Sequence, residues 1–217
     1  KLVTGVQTCA LPISTTTSGE KIRVEQQTNY PWDGKIVLKV VDAPKTDFAF
    51  FLRIPGWSQG TSISVNDVKM NDALFPGTYA KVAHKWKKGD VITLTIPMPV
   101  ELMQANPLVE EVKNQIAVKR GPLVYCLESN QLPNSISVNQ VLLDVKSTFT
   151  VKPLELSNRK LMAIEANVRV TGPNFSWNKT LYKPLSTLQS DNFSVQLIPY
   201  FAWGNSRKGE MSVWLSY

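Results

Sequence analysis

The sequence predicts an all-β protein built as two consecutive β-sandwiches of the jelly-roll kind. Three observations carry that prediction. Apolar and polar residues alternate with period two through most of the chain, helical stripes are nearly absent, and turn residues recur at roughly 8–12-residue spacing. One large sandwich is the alternative, and 217 residues accommodate either, since domains run to roughly 100–200 residues.

Residues 1–14 are set aside as an artefactual, disordered start. The run VTGVQTCALPI, Val3 to Ile13, reads as the translation of a common short-read sequencing adapter, and the next partial codon allows Ser14. It has no strand alternation, and it lacks the apolar run of a signal peptide. The first sandwich is expected over 15–120. Ile22 and Val24 start a strand toward Asn29-Tyr30, and Asp33-Gly34 reads as a tight hairpin turn whose central positions want positive φ. Ile36, Leu38 and Val40 return. Phe48, Phe50, Leu52 and Ile54 share a face until Pro55-Gly56, and Ile63 and Val65 run into a turn at Asn66-Asp67. Gly89-Asp90 leads into Ile92, Leu94 and Ile96. Pro97 and Pro99 end that strand by removing ladder donors.

Glu101–Lys113 reads as irregular, with Asn106-Pro107 forcing an extended or turn conformation. Ile116 and Val118 resume a strand, Arg120-Gly121-Pro122 breaks it, and Leu123, Tyr125 and Leu127 continue. The second sandwich is expected to begin at that break and cover 121–206. Met162, Ile164, Ala166, Val168 and Val170 alternate without a fault, followed by Phe193, Val195 and Leu197. Met211, Val213 and Leu215 form a final strand over 207–217, expected to return to the first sandwich.

Composition narrows the function. At 43% hydrophobic and 19% charged, the chain is an ordinary globular one, and no apolar run approaches the roughly 20 residues of a membrane span. The net charge of +7 does not signal a nucleic-acid partner, because the lysines are scattered and the one dense group is Lys85, Lys87 and Lys88 at a turn. With Cys9 set aside, Cys126 has no disulfide partner, and nothing fixes the compartment.

Residues able to do chemistry are few. Glycoside hydrolysis needs two carboxyls roughly 5–10 Å apart, and the obvious pair, Glu110 and Glu111, is expected to point to opposite faces of an extended chain. Asp33, Asp67 and Asp90 sit at turns, where bonding to the local backbone is the ordinary role. His84 is the single histidine, so a nucleophilic pair would need it beside Cys126, whose place on a strand fits a small buried side chain better. One Cys and one His make no tetrahedral metal set. The aromatics remain, and most are expected to fill cores. The exception is Pro199-Tyr200-Phe201-Ala202-Trp203-Gly204-Asn205, which carries too many rings for a loop, making Tyr200, Trp203 and Asn205 the candidate sugar-binding residues.

An ordered series of segments carries a resemblance. It comprises Phe51-Leu52-Arg53-Ile54-Pro55-Gly56-Trp57, Val65-Asn66, Trp86 with Gly89-Asp90, Pro97-Met98-Pro99 and Asn106-Pro107. Arg120-Gly121-Pro122-Leu123-Val124-Tyr125-Cys126-Leu127-Glu128, Ile198 through Asn205, and Met211 through Leu215 continue it. From about Lys21 to Tyr217 the chain resembles the C-terminal region of glycoside hydrolase family 127, which includes β-L-arabinofuranosidases and was once a domain of unknown function. The resemblance implies a catalytic (α/α)6 barrel as the partner in cis, with zinc held by cysteines and a glutamate. It also implies a nucleophilic cysteine, an acid/base glutamate, and two β-sandwiches following the barrel. No residue of this chain matches a catalytic or zinc-binding position, so no cofactor is expected in the fragment itself. The departures are Asn66-Asp67, where the family often has Asn-Gly, and Asn205-Ser206, where Asn-Arg is common. The implied function is the accessory portion of a glycoside hydrolase acting on β-L-arabinofuranosides or related plant glycans. A free-standing carbohydrate-binding module and a structural or oligomerisation domain are the alternatives.

Overall fold

The computed structural model describes residues 7–9, 13–15, 20–133, 136–171, 181, 182, 184, 190–204 and 209–217. Every regular element among them is a β-strand or a short 3-10 turn. The chain divides into two compact units, Lys1–Pro99 and Val100–Tyr217. The expected all-β, sandwich-like architecture is present. Successive side chains leave a strand on opposite faces, so each alternating segment must bury one row and wet the other.

In the first unit, β1 (Gln7–Cys9), β2 (Ile13–Thr15), β3 (Lys21–Thr28), β4 (Lys35–Asp42), β5 (Phe48–Arg53), β6 (Ser62–Val65), β7 (Val68–Lys69), β8 (Tyr79–His84) and β9 (Val91–Thr95) build two sheets. The larger runs β1-β3-β4-β9-β6-β7 with β2 also on β3, and β5 and β8 form the smaller. Val40, Ile63, Ile92 and Leu94 from the first meet Phe48, Phe50, Leu52 and Val82 from the second. Full burial of each aliphatic side chain contributes roughly 1.5–3 kcal/mol. Trp86 joins this core with its polar end satisfied: its Nε1 donates to the Phe48 carbonyl at 3.0 Å, and its ring meets Phe50 edge-to-face at 4.9 Å.

Two expectations change in this unit. Strands β1 and β2 reach into the stretch set aside as disordered, pairing with Thr28–Gln26 and Arg23–Lys21 of β3. An open strand edge recruits any extended segment through its backbone, whatever the side chains. The β3–β4 connection is longer than a two-residue turn: Trp32 N–H donates to Asn29 O, and neither Asp33 nor Gly34 has positive φ. Asp33 instead accepts the Lys35 N–H at 2.9 Å, while Gly34 supplies space, since a Cβ there would lie 1.8 Å from the Ile96 carbonyl oxygen. The two-residue turn of positive φ occurs at Asn66-Asp67 (φ 50° and 64°), joining β6 to β7.

The second unit contains β10 (Val100–Gln104), β11 (Gln115–Arg120), β12 (Leu123–Glu128), β13 (Val141–Leu143), β14 (Thr150–Leu156), β15 (Arg159–Thr171), β16 (Ser190–Pro199), β17 (Met211–Ser212) and β18 (Trp214–Ser216). Its pairings close on themselves, from β11 through β18, β13, β15, β16 and β12 back to β11. The ring encloses Val118, Tyr125, Leu127, Ile164, Val168 and Leu197, all nearly inaccessible. Closure satisfies backbone groups that an open sheet would leave at its edges.

This arrangement moves the expected boundary from 120/121 to 99/100. Pro97 and Pro99 end the last strand of one unit, whereas Arg120-Gly121-Pro122-Leu123 is a hairpin turn inside the other. Gly121 has φ 55°, as the first central position of a type II′ turn requires. Part of the stretch read as irregular is β10, paired along its whole length with β11. Both Leu102 and Met103 are exposed, so this edge strand lacks the alternation that would have announced it. The closing segment is two strands. β17 pairs with β12, and β18 lies between β11 and β13, so the final strand does return to residues 115–117 of the expected first sandwich, which here belong to the second unit.

Candidate functional site

The sequence candidates lie where β16 ends. Pro199 pairs with Tyr125 as the last rung of the ladder, and Tyr200–Ala202 then forms a 3-10 turn closed by Trp203 N–H donating to Tyr200 O at 3.1 Å. Ala202 is buried beneath, while Tyr200, Phe201 and Trp203 are 49%, 52% and 41% exposed, so the turn presents three rings to solvent. Asn205 and Trp177 lie outside the described residues. Glu128, at the end of β12, is only 4% exposed. One of its oxygens accepts the Gly204 N–H at 3.3 Å and the other accepts the Asn130 amide at 3.0 Å. The carboxylate holds its own loop in place. Rings of this kind can stack on the apolar face of a sugar, but they break no bond.

The possible chemical groups do not come together. Glu110 and Glu111 sit on a 3-10 turn, Glu110–Val112, not on an extended segment, and both are exposed with no described carboxyl or cationic partner. Asp90 accepts the Lys87 N–H at 2.7 Å and the Asn66 amide at 3.0 Å, and His84 lies 3.7 Å away. The Lys87 N–H is the main reason its carboxyl is held below the usual range; burial opposes that, and Asn66, His84 and Lys87 reinforce it. Asn66 also accepts the Val91 N–H at 2.9 Å, so the cluster pins two turns together. Cys126 is fully buried, and burial, with the Glu128 charge second, pushes its thiol up to about 12. A thiol so rarely ionised is a poor nucleophile and metal ligand. His84 belongs to the first unit and Cys126 to the second. Among the described residues no group of three or more His, Cys, Asp and Glu is placed to hold a metal.

Two surfaces escaped the sequence reading. On the first unit, the outward row of β5 and β8 carries Phe51 and Tyr79, each 63% exposed, with the Arg53 guanidinium 5.3 Å from the centre of the Tyr79 ring. A cleft of about 480 Å³ beside them is lined by Met70, Leu74, Phe75 and Tyr79. On the second unit, a groove of about 610 Å³ is lined by polar residues of β15 and β16 and by Tyr217. The signal for both lay in what occupies the outward positions between buried ones, whereas attention to aromatic density alone favours the Tyr200 turn.

Comparison with known proteins adds to this geometry. Residues 10–98 match the family model described as beta-L-arabinofuranosidase, GH127 middle domain, and residues 100–216 match that of the glycoside hydrolase family 127 C-terminal domain. A non-reducing end beta-L-arabinofuranosidase of Bifidobacterium longum subsp. longum is 31% identical over 205 residues, covering 88% of this chain and 30% of that protein. Among solved structures, one described as a glycoside hydrolase superposes with a TM-score of 0.85 at 36% identity, over 94% of this chain and 34% of that one. Ara127N-Se, a GH127 beta-L-arabinofuranosidase from Geobacillus stearothermophilus T6, gives 0.84 at 31% identity, over 94% and 32%. The chain thus spans about a third of the length of the relatives it matches.

Proposed function

Because the chain belongs to glycoside hydrolase family 127, we propose that it serves as the non-catalytic accessory portion of an enzyme acting on β-L-arabinofuranosides or related plant glycans. One observation carries this reading. The chain matches the family's middle and C-terminal domains almost end to end, yet it covers only 30% of the arabinofuranosidase it resembles. The chemistry then belongs to a catalytic barrel in cis. Zinc, which the family resemblance assigns to that barrel, has no fitting donor set among the described residues, because Cys126 is sealed in a strand and no carboxylates converge on it.

The accessory role is mechanical. Phe51, Tyr79 and Phe75 expose more apolar ring than a solvated sheet face needs, and such a face suits docking of a neighbouring domain. Bracing by two strand-built units would hold the barrel's cleft in shape without contributing reacting groups. The test is hydrolysis of an aryl β-L-arabinofuranoside by the purified 217-residue chain with zinc and a thiol reductant. No release above the blank is expected, and turnover abolished by replacing a carboxylate of this chain overturns the reading.

The exposure of Tyr200, Phe201 and Trp203 favours a second reading, a carbohydrate-binding module that engages neutral arabinan through Tyr200, Trp203 and Asn205. Titrating arabino-oligosaccharides against tryptophan fluorescence separates the two. A saturable change lost in Trp203→Ala supports the module, and no change, or one indifferent to that substitution, rejects it.

A further inference from the structure

We propose that the groove on the second unit is a binding site for a short acidic saccharide. It starts from register. β15 and β16 pair so that Asn167 stands opposite Ser194 and Arg169 opposite Asn192. Val168, Val170 and Val195, their neighbours in the same strands, are buried, so alternation turns all four polar side chains outward. An antiparallel sheet commonly wets its outer face, and polar residues there need no ligand. This face, however, is walled. The chain leaves β13 into a turn in which Asp144 N–H donates to Asn167 O at 2.9 Å and Lys146 N–H donates to Asp144 Oδ1 at 3.1 Å, which sets Asp144–Lys146 beside Asn167. Ser216 pairs with Leu142, so Tyr217 adjoins Leu143 and bounds the same space. The resulting volume, about 610 Å³, falls within the 300–1,000 Å³ typical of small-ligand sites.

The lining fits a sugar by its chemistry. Vicinal hydroxyls both donate and accept, and so do the amides of Asn167 and Asn192 and the hydroxyl of Ser194. Tyr217, 47% exposed, offers a ring face for the C–H side of a sugar. From Tyr217 across β13 and β15 to β16 is three strand steps of about 4.8 Å, roughly 14 Å, so more than one ring is accommodated. Charge then selects among sugars. Among the described lining residues Arg169 and Lys146 are cationic and Asp144, which accepts the Lys146 N–H, is the one carboxylate side chain, which leaves the groove with an excess of positive side-chain charge. Glu165, the next outward residue of β15, is taken by Lys152 Nζ at 2.6 Å. A neutral sugar offers the Arg169 fork only hydroxyl acceptors, whereas a uronate carboxylate takes it bidentately with opposite charge.

The proposal rests on reading the chain as the non-catalytic part of a glycan-active protein. A null titration here dismisses the groove alone, leaving the hydrolysis result to stand or fall separately. The experiment is calorimetric titration of the full chain with trigalacturonate, with arabinotriose as the neutral control. Expected is saturable binding of the acidic trimer, weakened by added salt, and at least about tenfold weaker binding of the neutral one. Arg169→Ala should lose about tenfold or more, and Tyr217→Ala should weaken binding too. Both decisive side chains are exposed or terminal, and an unaltered circular dichroism spectrum certifies each variant's fold. No saturable heat at millimolar ligand, affinity that survives Arg169→Ala, or equal affinity for the neutral trimer each overturns the proposal.

Discussion

Gly34→Ala is the substitution whose cost the structure fixes most narrowly. A Cβ built at Gly34 lies 1.8 Å from the Ile96 carbonyl oxygen and 2.8 Å from its carbon, both backbone atoms that cannot rotate away. The end of β9 must therefore move, and with it the bond from Ile96 N–H to Gly34 O, now 2.9 Å. Ile96 is 3% exposed, so its freed donor finds little water. Overpacking costs roughly 1–3 kcal/mol and a buried unpaired donor another 1–3, so about 2–6 kcal/mol is expected. Gly77→Ala is the control, because its Cβ meets nothing within 4 Å and its penalty comes only from a φ of +82°, roughly 1–2 kcal/mol. Urea unfolding followed by tryptophan fluorescence measures both, since Trp86 is buried in the core of their unit. If Gly34→Ala costs no more than Gly77→Ala, the argument from close approach is wrong.

Other outcomes follow from the same geometry. Cys126, its thiol pushed up to about 12, should resist iodoacetamide in the native chain at about pH 8 and react once urea opens the fold; rapid native labelling would contradict its burial. Asp90, its pKa lowered chiefly by the Lys87 N–H, stabilises the fold above the ordinary aspartate range, and this is lost as pH falls through the depressed value. The stability gap between wild type and Asp90→Asn should accordingly shrink between pH 7 and about pH 3, and a constant gap would refute the assignment. Asp67→Gly should raise the unfolding free energy by about 0.5–1 kcal/mol, because φ 64° favours glycine; a lower midpoint would count against it.

How far the sequence could be read depends on what each residue was being asked to signal. Strands buried on one face announced themselves: Ile92, Leu94 and Ile96 alternate cleanly, as do Ile164, Ala166, Val168 and Val170. Strand β10 did not, because Leu102 and Met103 are both exposed at an edge. Glycine proved ambiguous, since positive φ, close approach and a type II′ turn all select it. The same residue type thus read Gly34 as the wrong turn and Gly121 as a domain boundary. Strand pairing between distant segments leaves no local mark, so the split of Met211–Leu215 between β12 and β11 was illegible. At the candidate sites, aromatic density marked the Tyr200 turn. The groove depends on Arg169 facing Asn192 across two strands more than twenty residues apart in sequence, a register the sequence does not display.

The central claim is that this chain braces an enzyme without carrying its reactive centre, and zinc retention tests it most directly. The purified chain would be equilibrated with zinc under reducing conditions, desalted, and its metal content measured by atomic emission. The account predicts no stoichiometric zinc, because the described residues bring no thiolate, imidazole and carboxylates together. One tightly held zinc per chain, lost on substituting Cys126, would contradict it.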